Sequence, residues 1–129
     1  MTAILPPEEW RGRTVYTLDM LMFLREEFHR VGTLLVHTGA TDINVLNSFV
    51  NGITFVQYCN RIEDKGCEEF FAWLRDVKNE FPCGGGWARK CLEACHGDHH
   101  AAIERFFGFV AEFVELRNGE RQAGVMKPD

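Results

Sequence analysis

The sequence predicts a mainly α domain, a compact bundle of about five helices around a central uncharged one. Three observations carry this expectation. Apolar residues recur at three- and four-residue spacing in several separate segments. Those segments are bounded by helix punctuation, with short polar side chains ahead of them and glycine or proline behind. Residues 43–60, INVLNSFVNGITFVQYCN, contain no charged side chain, in a chain of which 26% is charged.

Residues 43–60 admit two readings. As a helix, they place Leu46, Phe49, Val50, Ile53 and Val56 on one face. Asn44, Asn47 and Asn51 form a second, uncharged stripe, and Thr41 or Asp42 can cap the free N–H groups at the start. As a hairpin, Asn51-Gly52 would be the turn between Ser-Phe-Val and Ile-Thr-Phe-Val. Length and the cap favour a helix buried on most sides, with the rest of the chain packed around it. Gly52 then costs the helix about 1 kcal/mol relative to alanine, which points to close approach by another element. The four asparagines with Ser48, Thr54 and Gln57 are too polar for a membrane span. The asparagine stripe can bond to backbone and water, as buried amides must, or line a cleft for a polar ligand. No base or nucleophile stands nearby, so the first is preferred.

Length and composition suit one domain over residues 1–129, with residues 1–13 a lead-in and 119–129 a mobile tail. Eleven phenylalanines and three tryptophans promise a substantial core. The net charge is −5 and the basic residues are scattered, so nucleic acid is a poor partner and basic surfaces a good one. The first residues lack the basic start and apolar run of a secretory signal. Five cysteines, an odd number, fit free thiols in a reducing cytoplasm.

Along the chain, Pro7-Glu8-Glu9-Trp10 suits one helical turn with Trp10 folding back. Residues 14–16 and 33–37 could form a small two-stranded β element. Residues 18–31 read as a helix with Met20, Leu21, Leu24, Phe28 and Val31 inward and Gly32 as its stop. Residues 67–80 are the clearest amphipathic helix, with Cys67, Phe70, Phe71, Leu74, Val77 and Phe81 in the stripe. Residues 87–96 form a short helix with Trp87, Ala88, Cys91, Leu92 and Cys95 inward. Asp98 caps a final helix that runs to about Leu116, where Asn118-Gly119 closes it. Its core face is Ile103, Phe106, Phe107, Val110, Phe113 and Val114.

Chemistry-bearing residues cluster at one place: Cys83, Cys91, Cys95, His96, His99 and His100. Cys91 and Cys95, at i, i+4, could chelate zinc with His99 and Cys83. Against this, the thiols share the core face, where cysteine behaves as a small hydrophobe, and paired C-x₂-C knuckles are absent. The haem-attachment spacing is wrong by one residue. Cys83-Gly84-Gly85-Gly86 lacks the lysine of a phosphate loop. Cys83 could act as a nucleophile if a histidine lowered its pKa.

No catalytic constellation emerges, and enzyme activity is not the expectation. The favoured reading is a small acidic cytoplasmic protein-binding domain, such as an inhibitor or immunity-type protein that covers a basic partner. Its contact residues would be Glu68, Glu69, Asp76 and Glu80, with Trp73 as aromatic anchor. The rival is a zinc or thiol protein built on Cys83, Cys91, Cys95 and His99.

Overall fold

Aspartates start three of the helices: Asp42 accepts the Val45 N–H at 2.9 Å, Asp64 that of Cys67 at 3.2 Å, and Asp98 that of Ala101 at 3.1 Å. Each fills an N–H that the helix leaves free. The computed structural model describes residues 4–81 and 86–124. In chain order its helices are α1 (Thr17–Val31), α2 (Leu35–Thr38), α3 (Ile43–Cys59), α4 (Lys65–Asp76), α5 (Gly86–Ala94) and α6 (His99–Gly124), after a 3-10 turn at Glu8–Trp10. Gly32 ends α1 in the left-handed region at φ 79°, and its N–H returns to the Phe28 carbonyl at 2.8 Å. The link from α5 to α6 turns through His96 and Gly97 at φ 55° and 84°, so the two helices are separate, as the stop and the new cap predict.

The chain is mainly α, and its axis is α6. This helix packs against α1, α3, α4 and α5. It buries Ala102, Ile103, Phe106, Phe107, Val110 and Phe113. Trp87 of α5 stacks on Phe106 with centroids 3.9 Å apart and planes 18° apart. Phe28 of α1 meets Phe107 at 5.8 Å, and Phe70 of α4 lies 5.6 Å from Phe113. Each such ring contributes about 2–3 kcal/mol through the area it withdraws from water.

The central position expected for residues 43–60 is therefore wrong. The segment is a helix, not a hairpin, but it lies at the periphery and buries one side only: Ile43, Leu46, Val50 and Gln57. Val56, expected inward, is 56% exposed, and Val45, Phe55 and Tyr58 face outward too. Lack of charge signals tolerance of burial; it does not decide which helix gains neighbours on most sides. That place went to α6, which carries three inward phenylalanines along its length.

Other boundaries shift as well. α4 stops at Asp76 rather than residue 80, leaving Val77 67% exposed before the chain turns at Asn79 (φ 54°). α6 runs through Asn118-Gly119 to Gly124. The β pair does not form: residues 14–16 are irregular, residues 35–38 are a helical turn, and Leu34 and Ala40 make an isolated bridge. The lead-in is docked over residues 4–13, where Ile4 N–H donates to Glu27 at 3.1 Å and Trp10 sits edge-on to Phe23 at 5.7 Å.

Candidate protein-docking surface

The end of α3 and the start of α4 are welded by one carboxylate. Asp64 Oδ2 accepts the Gln57 amide at 2.8 Å, the Thr17 hydroxyl at 2.7 Å and the Thr17 N–H at 2.9 Å, while Oδ1 caps α4. Burial by itself would raise the Asp64 pKa, but these donors outweigh it, and the carboxyl titrates below its ordinary range. The chain between the helices is held further by the Ile62 N–H on the Gln57 carbonyl at 2.9 Å. Phe55, Tyr58, Cys59, Arg61, Ile62, Glu63 and Glu68 consequently surround a hollow of about 630 Å³ at this corner. Phe55 is 67% and Tyr58 82% exposed. Large aromatic side chains presented to solvent from a fixed backbone, with acids at the rim, are what a protein interface needs.

Only part of the expected acidic face is available. Glu68 and Glu69 are exposed on α4. Asp76 is exposed but held by Arg75, with N–O distances of 2.9 and 3.1 Å. Glu80 does not belong to the surface. It is 2% exposed and accepts from Arg105 at 3.0 Å, which answers its charge inside the fold. Trp73 is no free anchor either. Its ring packs on Phe70, Phe109 and Phe113, with the Lys78 ammonium 5.3 Å above it.

Asn44 and Asn51 point to solvent and Asn47 is half-buried; none of them lines the hollow at the α3–α4 corner. Cys91 is fully buried beside Trp87 and Ala88, and burial pushes its thiol up to about 12. Cys67 is pushed up to about 11 for the same reason. Thiols held protonated in this way are poor nucleophiles. His99 Nδ1 accepts the Ile43 N–H at 3.3 Å, which ties α6 to α3. Among the described residues no three His, Cys, Asp or Glu side chains gather as a metal site, and Cys83 lies outside those residues.

A second polar knot went unforeseen. Glu27, buried in α1, is bound by Arg30 at 2.8 and 2.9 Å, has His37 Nε2 at 3.1 Å, and receives the Ile4 N–H. The Arg30 hydrogen bonds lead in lowering its pKa to about 2, against the opposing effect of burial. Both its oxygens are engaged, with Arg30 of its own helix and with the lead-in and α2, so it is structural. Phe55 and Tyr58 were also missed, although one signal was present: neither falls on the face that runs through Leu46 and Val50.

Among the described residues no helix is long and apolar enough to cross a membrane. The chain matches no protein family, no curated protein and no solved structure.

Proposed function

We propose that this protein is a small binding domain that docks a basic protein surface on the corner between α3 and α4. The observation that carries the reading is the pairing of exposed Phe55 and Tyr58 with Glu63 and Glu68 around one hollow. The aromatic rings supply apolar area at low entropic cost, and the acids favour a lysine- or arginine-bearing partner in a chain already at −5. An inhibitor or immunity-type protein that covers a basic surface is one function of this form. Glu69 extends the acidic rim along α4, whereas Asp76 is partly answered by Arg75.

The test is capture of a basic partner by the tagged protein, followed by affinity measurement on variants. Tyr58→Ala should weaken binding by about 2 kcal/mol, roughly 30-fold in Kd. Glu63→Lys with Glu68→Lys should slow association and remove its salt dependence. Glu115→Lys, on the exposed side of α6, serves as the control. Unchanged affinity in the corner variants would place the interface elsewhere.

A further inference from the structure

Gly52 lies in the interior of α3, and nothing inside the chain accounts for it. Apart from its chain neighbours and the backbone of its own helix, a methyl group built at its Cα would meet no atom within 4 Å, and its backbone is ordinary right-handed helix. The close approach that a mid-helix glycine implies is therefore not made by any other part of the described chain. Val45, Ser48, Val56 and Cys59 are exposed with it on the outer side of α3. Their spacing is three, four, four and three residues, which is the spacing of a helix–helix seam. It reads the same from either end, with Gly52 at the centre.

We propose that two copies of the protein pair through α3, antiparallel, across a two-fold axis at Gly52. Under that symmetry Gly52 faces Gly52, Val45 faces Cys59 of the second copy, and Ser48 faces Val56 with Phe55 beside it. Small residues thus meet larger ones on both sides of the axis. The paired glycines let the backbones approach more closely than side chains would otherwise allow. Each Val56 enters the other copy's groove beside Phe49; this groove, bounded also by Val15, Met20 and Ile53, holds about 770 Å³.

Charge selects a second copy over other occupants. The chain carries −5 overall, so most pairings of two copies meet like charge, yet α3 has no charged residue from Ile43 to Cys59, and the groove beside it is lined by one charge, the cationic Arg13. A basic partner would find no acid on this seam. Tyr58, six residues beyond Gly52, is carried about a third of a turn round the helix. Tyr58, Glu63 and Glu68 of the corner stay open in the dimer while Phe55 and Cys59 border the seam, and the pairing does not depend on the docking reading.

Sedimentation velocity of the full chain, with Gly52→Glu as the principal variant, tests the pairing. The wild type should sediment as a dimer at about 100 µM, and Gly52→Glu should weaken dimerisation by roughly 30-fold or more, because two carboxylates would meet on the axis. Position 52 is exposed and glutamate is a good helix former, so far-UV circular dichroism should show the fold retained. Orientation is read by cross-linking under mild oxidation. Val45→Cys should yield a covalent dimer through Cys59, and none in a Cys59→Ser background. The two native Cys59 residues lie about 21 Å apart along an antiparallel pair, beyond disulfide reach. A monomeric wild type, a dimer indifferent to Gly52→Glu, or ready cross-linking through Cys59 alone would each overturn the proposal.

Discussion

The Thr17 hydroxyl donates to Asp64 at 2.7 Å across 47 positions of sequence, and the Thr17 N–H donates to the same oxygen. Neither residue looks unusual in the chain, yet their contact joins the start of α1 to the start of α4. Through Gln57 it also fixes the end of α3. The position of the α3–α4 corner, and hence of Phe55 and Tyr58, depends on this carboxylate.

Asp64→Ala should therefore destabilise the protein by about 3 kcal/mol, since it removes a helix cap and leaves the buried Thr17 and Gln57 donors unmatched. Urea denaturation should show a lower midpoint at an unchanged slope. Asp64→Asn, which keeps an acceptor for the Cys67 N–H, should lose less.

Glu27 sets an acid limit. Its folded pKa of about 2 lies below the ordinary 4.5, so the unfolded chain takes up the proton first as pH falls. The stabilisation is complete above about 4.5 and is lost progressively as pH drops toward about 2. Chemical denaturation at a series of pH values should show this loss in the wild type. A Glu27→Gln variant, less stable at neutral pH, should show a shallower fall across the same window.

Thiol reactivity should divide by place in the fold. In a Cys83→Ser background, a maleimide added at mildly alkaline pH to the native protein, kept dilute enough to be monomeric, should label Cys59, which is exposed in the single chain, and spare Cys67 and Cys91. Burial holds those two thiols near 11 and 12, so they have little thiolate to offer. Mass spectrometry after denaturation should find both newly reactive. Rapid native labelling of Cys91 would contradict its place against Trp87 and Ala88.

Identical chemistry should have different consequences on the two sides of the fold. Phe106→Ala removes the ring stacked on Trp87 and should cost about 4 kcal/mol. Phe55→Ala removes an exposed ring and should alter the stability of the monomer by about 0.5 kcal/mol or less. Thermal unfolding at low protein concentration separates the two.

Much of the local structure was legible. The caps at Asp42 and Asp98, the stop at Gly32, and the inward faces of α1, α5 and α6 all follow from spacing and short-range hydrogen bonding. The candidate site was legible only in part. Glu68 and Glu69 are on the surface, but Glu80 turned inward to Arg105 and Trp73 was covered by Lys78. Those outcomes rest on partners 25 residues away in the first case and on the early end of α4 in the second. A carboxylate's spacing on a helix says which way it points, not whether a distant guanidinium will meet it there.

By itself the sequence determined which segments are helical and roughly where most of them begin, because helix period, capping and glycine stops act within a turn or two of backbone. It also determined that α3 carries no charge. Only the tertiary structure decided that α6 rather than α3 is the axis, that Asp64 and Glu27 are the polar knots, and that Phe55 and Tyr58 look outward. Those are contests among whole faces for a limited interior, settled by the summed burial of many side chains. A neutral helix is fit for the centre, but so is any other with enough apolar surface, and a longer helix with more phenylalanine prevailed.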